Sequence, residues 1–185
     1  TRGCDRIHCT ASQVPTDEYN LVIKAAKVFR LRTGINHFFD FQIEKHIPMG
    51  AGLGGGSSNA ATALCAMNEL SGEPLNRTNL LETAMALGSD CPFFINKIPS
   101  KVSGRGEILS PLPIDLVNRL SGLKLILFCP PFEISTSWAY RHLKEFNPSI
   151  YEPQKRAQAR MDLFFASGLM TDLLYNTFEI SVGRK

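Results

Sequence analysis

Between Ile47 and Ala61 the chain reads Ile-Pro-Met-Gly-Ala-Gly-Leu-Gly-Gly-Gly-Ser-Ser-Asn-Ala-Ala, with five glycines in the seven residues 50–56. Without a β-carbon in the way, a run of this kind can turn so that several backbone N–H groups point into one concavity. A helix starting where the loop ends adds unpaired N–H groups and roughly half a positive charge. Together these make a phosphate cradle. The candidate residues are Pro48, Met49, Gly50, Ala51, Gly52, Leu53, Gly54, Gly55, Gly56, Ser57 and Ser58. A flexible Gly/Ser connector is the plain alternative, but a connector needs no Ala-rich helix directly behind it.

Residue types narrow the kind of phosphate site. A Walker loop places Lys before its Ser or Thr, and here Gly56 precedes Ser57. Gly50, Gly52 and Gly55 satisfy the spacing of a dinucleotide loop, with Glu69 downstream. That fold, however, leads into its loop with a parallel strand buried on both faces. Here Phe39, Phe41 and Ile43 alternate with Asp40, Gln42 and Glu44, the period of a strand buried on one face only.

The second chemical candidate is Asp90. It follows the helix stop Gly88 and precedes Cys91-Pro92 and the apolar Phe93-Phe94-Ile95, which read as a short buried strand. Such a setting would hold a carboxylate at a rigid, sparsely hydrated edge, placed to take a proton. An Asp capping a turn is the plainer alternative. Lys97, Lys101 and Arg105 could meet phosphate, although solvated surface charge suits each better.

Three helices and a hairpin position these groups. Leu21, Val22, Ala25, Ala26, Val28 and Phe29 recur at helical spacing, so the pattern predicts a helix over residues 20–32, ended by Gly34. Ser57-Ser58-Asn59 offers caps for a second helix carrying Ala60, Ala61, Ala63, Leu64 and Met67. Residues 76–87 read as a third, and residues 102–109 as a turn leading into a strand around Ser103-Gly104-Arg105-Gly106. Pro111 and Pro113 flank a composition change that sets a domain boundary near Asn118. Beyond it, Leu123 to Cys129 reads as an apolar strand, and residues 137–146 and 158–175 read as helices.

Composition excludes several classes. The chain has 185 residues, 44% hydrophobic, with 20 Lys and Arg against 17 Asp and Glu and a net charge of +3. The charges are dispersed, so no basic stripe marks a nucleic-acid partner. No stretch reaches the roughly 18 apolar residues of a membrane span. Five cysteines without a CxxC pair, and four histidines away from them, argue for thiols in a reducing compartment such as the cytoplasm rather than for zinc. Oligomeric state leaves no mark in the sequence.

The run from Ile47 to Ala61 resembles the central nucleotide-binding motif of the GHMP kinases. Further matches follow in order. Asn20-Leu21-Val22 resembles that family's Asn-Leu helix start, residues 87–94 (Leu-Gly-Ser-Asp-Cys-Pro-Phe-Phe) its aspartate motif, and Ser103-Gly104-Arg105-Gly106-Glu107 its Gly-x-Gly-Glu turn. Ser135-Thr136-Ser137-Trp138-Ala139-Tyr140 resembles its second-domain helix start. The resemblance implies an α+β fold of two domains. Residues 1–118 would be a ribosomal protein S5-like nucleotide-binding domain lacking its first strands, and residues 119–185 the start of a ferredoxin-like domain.

It implies ATP as co-substrate and Mg²⁺ near Ser57 and Ser58, the hydroxyls also serving as caps. Asp90 would be the catalytic base toward a small alcohol. Tyr140 would stack on the cytosine of a cytidine-bearing acceptor, with a place in the core of the second domain as its alternative. Homoserine- or mevalonate-type acceptors, and a nucleotide-binding fragment without catalysis, stay open. The family's Pro-Ala-Lys-Asn segment and its late glycine-rich motif have no counterpart here, and Thr1 is not an initiator Met, so a fragment is expected.

Overall fold

The computed structural model describes residues 3–124, 126–127, 135–146, 154–173 and 175–176. Two compact units divide between Pro111 and Leu112. Position 118, where the sequence sets a boundary, lies inside a helix of the second unit.

In the first unit, β1 (Arg6–Cys9) is followed by α1 (Leu21–Thr33) and β2 (Asp40–Ile43). The two strands pair in parallel, Arg6 opposite Asp40 and Cys9 opposite Ile43. Helix α1 starts where the sequence says it should. The Asn20 side chain accepts a hydrogen bond from the Val22 N–H at 2.9 Å and donates one to the Pro15 carbonyl, while Gly34, at φ +73°, closes the other end. β1 escaped the sequence reading, because four residues with one buried side chain, Ile7, carry too little pattern. β2 is parallel, as a dinucleotide fold would require, yet its residues alternate exposed and half-buried as the sequence predicts.

Helix α2 (Gly55–Leu70) packs across α1. Ala25 and Ala26 of α1 and Ala60 and Ala61 of α2 are fully buried. Small residues on both helices let the backbones approach closely, and Phe29, Leu64 and Met67 fill the space around them. The Asn68 side chain then bonds both the N–H and the carbonyl of Leu75 at 2.9 Å. This fixes the turn into α3 (Arg77–Leu87), which is capped by Asn76.

Residues 93–95 are not a strand. They belong to α4 (Cys91–Asn96), a short helix with Pro92 in its first turn. Proline is pre-set for that position, and the apolar Phe-Phe-Ile run was too short to separate strand from buried helix. Arg77 holds the far end of α4 through the Ile95 carbonyl and the Asn96 side chain. A hairpin of β3 (Ser100–Ser103) and β4 (Ile108–Pro111) completes the unit.

The second unit holds α5 (Ile114–Leu120), α6 (Thr136–Phe146), α7 (Gln154–Ser167) and a 3₁₀ turn at Met170–Leu173. α5 had no counterpart in the sequence reading. α7 begins earlier and stops sooner than predicted, because Gly168, at φ +67°, ends it with its N–H on the Phe164 carbonyl. The predicted strand over Leu123–Cys129 is not found where it is described: residues 123, 124, 126 and 127 form no strand, and Leu123, Ile126 and Leu127 are exposed, so their apolar side chains find no sheet to pack in, while the other three positions lie outside the described residues. Among the described residues, Leu116, Ala139, Leu143 and Phe164 are the buried apolar residues of this unit.

One polar contact ties the first unit together. The Asp5 carboxylate accepts from the Arg30 guanidinium at 2.8 Å and from the Phe39 N–H at 3.1 Å. Both side chains are largely withdrawn from water, 5% and 16% exposed. Asp5→Ala would leave Arg30 buried without its counter-charge, at an expected cost of about 3–5 kcal/mol. The exposed Lys27–Glu18 pair should cost less than about 1 kcal/mol when Glu18 is truncated. Urea unfolding of the two variants checks the contrast.

Candidate functional site

The glycine loop is built by alternation of backbone hand. Gly50, Gly52 and Gly54 have φ of +68°, +69° and +67°, while Ala51 and Leu53 between them stay on the ordinary negative side. Successive residues of opposite hand turn their N–H groups toward one side, the geometry of an anion nest. Gly54 is the last of these and the cap residue of α2, its carbonyl accepting the Ser58 N–H at 2.8 Å.

This corrects the predicted helix start. Ser57, Ser58 and Asn59 lie inside the first turns rather than before them, and no side chain caps α2. A left-handed glycine can start the helix by backbone geometry alone, so the hydroxyls are not needed there. The first-turn N–H groups are thereby left open to a ligand. Ser57 instead stands beside the fully buried Cys91 thiol, and the Ser58 hydroxyl has no partner among the described residues. Burial pushes the Cys91 thiol up, the Ser57 side chain opposes that, and the neighbouring Asp90 charge adds to it. Burial likewise raises Cys65, against the pull of Lys97 and Arg77. Both thiols are therefore poor nucleophiles.

Asp90 stands at the head of α4, with φ −86° and ψ −17°, and its side chain caps nothing. The carboxylate makes no hydrogen bond or ion pair among the described residues. It is exposed, so the sparsely hydrated setting expected from sequence is not found. The reason is the helix at residues 91–96: a buried strand would have drawn Asp90 inward, whereas α4 buries Cys91, Pro92 and Ile95 and leaves Asp90 outside.

Gly52, Leu53, Gly54 and Asp90 line one cleft of about 490 Å³, with Phe93, Phe94, Ser100, Val102 and Gly106 as its remaining walls. The sequence missed Phe93 and Phe94 as wall residues by reading them as strand core. Their rings meet edge to face at 5.3 Å, and the Phe94 ring lies where a Gly54 side chain would be, 2.7 Å from an added β-carbon. The hairpin contributes its tight turn. Glu107 accepts the Arg105 N–H at 2.6 Å, and Gly106, at φ +122°, rests on the Ser89 backbone, 3.0 Å from an added β-carbon to the Ser89 carbonyl. The turn thus braces the residue next to Asp90.

Pro48, Met49, Gly50 and Ala51 lie on the exposed approach to the cleft. Tyr140 is on α6 in the second unit, 53% exposed, while its neighbour Ala139 and Leu143 are buried. Among the described residues no group of three or more His, Cys, Asp or Glu could hold a metal ion. No helix of the described residues is long and apolar enough to cross a membrane.

The model of the GHMP kinases N terminal domain matches residues 20–97, a span holding both the glycine loop and Asp90. Over that span the chain is similar to the N-terminal domain of the GHMP kinases. Curated relatives agree on one branch of that family. The chain is 39% identical over 145 residues to a 4-diphosphocytidyl-2-C-methyl-D-erythritol kinase of Protochlamydia amoebophila, covering 78% of this chain and 49% of that protein. It is 41% identical over 154 residues to the chloroplastic enzyme of the same name from Oryza sativa, covering 83% of this chain and 37% of that protein.

A crystal structure of 4-(cytidine 5'-diphospho)-2C-methyl-D-erythritol kinase superposes with a TM-score of 0.68 at 27% identity, covering 100% of this chain and 62% of that one. A homoserine kinase from Cytophaga hutchinsonii shares the fold, with a TM-score of 0.54 at 19% identity over 95% of this chain and 57% of that one. The chain spans about half the length of the curated relatives it matches.

Gly52 and Gly54 separate two costs. Gly52 has open space around it, so Gly52→Ala should lose about 1–2 kcal/mol from its left-handed backbone alone. Gly54→Ala carries the same strain and must also displace the Phe94 ring. Its melting temperature should fall further, and Phe94→Leu in the same chain should recover only the excess.

Proposed function

We propose that this chain is the nucleotide-binding part of a kinase that uses ATP to phosphorylate the 2-hydroxyl of 4-diphosphocytidyl-2-C-methyl-D-erythritol, a step of isoprenoid precursor synthesis. One observation carries the reading: the glycine loop and Asp90, 36 positions apart from Gly54, line the same cleft. The names of the relatives supply the acceptor.

In this reading the backbone N–H groups of residues 50–57 receive the phosphates of ATP. The acceptor hydroxyl oxygen attacks the γ-phosphorus, the bond from that phosphorus to the ADP oxygen breaks, and the hydroxyl proton passes to a carboxylate oxygen of Asp90. Asp90 has no competing partner among the described residues, which leaves both of its oxygens to the acceptor in this reading. The Ser57 and Ser58 hydroxyls are hard oxygen donors and fit Mg²⁺. With no acidic cluster among the described residues, the ion would take its other ligands from phosphate and water. When bound it would neutralise charge on the phosphate oxygens.

Tyr140 is assigned to the cytosine of the acceptor. Its exposure supports that role over core packing, since every base offers a face for stacking. Cys4, Cys9, Cys65 and Cys91 are free thiols, which suits a reducing compartment, and we place the protein in the cytoplasm. Small molecules are its partners in this reading, with no nucleic acid among them.

Asp90→Asn in the full-length protein should lower kcat by about 10² to 10⁴ while ATP and acceptor still bind. Its melting temperature should not move, because the carboxylate caps nothing. Near-normal turnover would take Asp90 out of the chemistry.

Tyr140→Ala should weaken the cytidine-bearing acceptor by roughly 1–3 kcal/mol and leave ATP affinity unchanged. Calorimetry with each ligand distinguishes this from a general loss of folding, which would weaken both.

A further inference from the structure

We propose that Lys45 is a phosphate-binding residue of this site, its ammonium sharing with the first turn of α2 the polyphosphate of the bound nucleotide. The proposal rests on the nucleotide-binding reading above and adds a cation to it.

Lys45 follows β2 and is fixed at its backbone, its N–H donating to the Thr10 Oγ1 at 3.0 Å. From there the side chain runs to the start of α2. Its Nζ lies 2.8 Å from where a β-carbon on Gly55 would stand, with Ile47 next to it at 3.1 Å. This accounts for a glycine that backbone geometry does not require. Gly55 is helical and buried, without the positive φ of Gly50, Gly52 and Gly54. Any larger residue there would push the ammonium away.

The electrostatics of this arrangement are unfavourable by themselves. The first turn of α2 carries unpaired N–H groups and a partial positive charge, and a lysine gains most at the opposite end of a helix. No acidic residue occupies that first turn. Glu44, the carboxylate next to Lys45 in sequence, faces His46 at 3.4 Å. Among the described residues the Lys45 ammonium makes no hydrogen bond or ion pair, yet it is half-buried against the helix start. An ammonium kept beside like charge, without a counter-ion of its own, is complementary to an anion that satisfies both. Lys97, Lys101 and Arg105, the cations that the sequence offers for phosphate, have no such relation to the α2 N-terminus: Lys97 ends α4, and the other two belong to the hairpin.

The test uses the full-length protein and three variants, Lys45→Met, Lys45→Arg and Lys45→Glu, titrated with ADP and with adenosine and melted without ligand. Lys45→Met keeps the apolar stem and removes the charge. It should weaken ADP roughly tenfold or more, leave adenosine unchanged, and keep or raise the melting temperature, since like-charge repulsion at the helix start is relieved. Lys45→Arg should stay within a few-fold of wild type, and Lys45→Glu should lose ADP further than Lys45→Met.

ADP affinity in Lys45→Met equal to that of the unmodified protein would overturn the proposal. So would an equal loss for ADP and adenosine with a lower melting temperature, the pattern of a packing role. An unmodified protein that binds neither ADP nor ATP would overturn the nucleotide-binding reading itself, and this proposal with it.

Discussion

The site depends on how closely the start of α2 can approach α4. Gly54 must take a left-handed backbone to begin the helix, and the space its side chain would occupy belongs to the Phe94 ring. Those two demands fall on one residue, and only glycine meets both. Because the approach is close, Gly54, the residue just before α2, and Asp90, one residue before α4, line a common cleft. The buried Cys91 of α4 packs in the same core as Ala60, Ala61 and Leu64 of α2, so the two helices also meet from the buried side.

The rest of the first unit holds that approach in place. Ala60 and Ala61 bring α2 down onto Ala25 and Ala26 of α1, and α1 is anchored to the sheet through Arg30 and Asp5. From the other direction, Asn68 fixes the turn that leads into α3, and Arg77 at the start of α3 grips the end of α4. The hairpin then closes over Ser89 through Gly106. Each contact is modest alone, but they form a circuit from α1 through α2, α3 and α4, so packed elements hold in place the cleft that the loop lines.

Helices with strong caps and clear periodicity were legible in the sequence. Asn20, Asn76 and Gly34 mark their ends where expected, and the alternation over residues 39–44 matches the burial of β2. What escaped was short or set by tertiary contact. β1 and α5 are too brief for periodicity to register, and Phe93-Phe94-Ile95 is compatible with strand or helix until Pro92 and the packing of Cys91 and Ile95 decide. The glycine loop was legible as a phosphate cradle because five glycines have few other uses. That Gly54 itself starts the helix was not, since the hydroxyl and amide residues after it advertise a cap that the structure does not use. The exposure of Asp90 follows from the same misread segment.

The two units divide the chemistry that the proposed reaction needs. The N–H groups proposed to receive phosphate and the carboxylate proposed to take the proton both belong to the first unit, whose fold a homoserine kinase of 19% identity also has. Tyr140, the residue assigned to the acceptor, belongs to the second. Transfer of a phosphoryl group makes the same demands whatever alcohol receives it: a cradle for the polyphosphate and a base beside it, with geometry fixed to fractions of an ångström. Those demands are met by rigid packing around fully buried alanines. Choice of acceptor asks only for surface of the right shape and polarity, which an exposed ring on a separate helix can supply or withhold without touching the packing beneath the glycine loop.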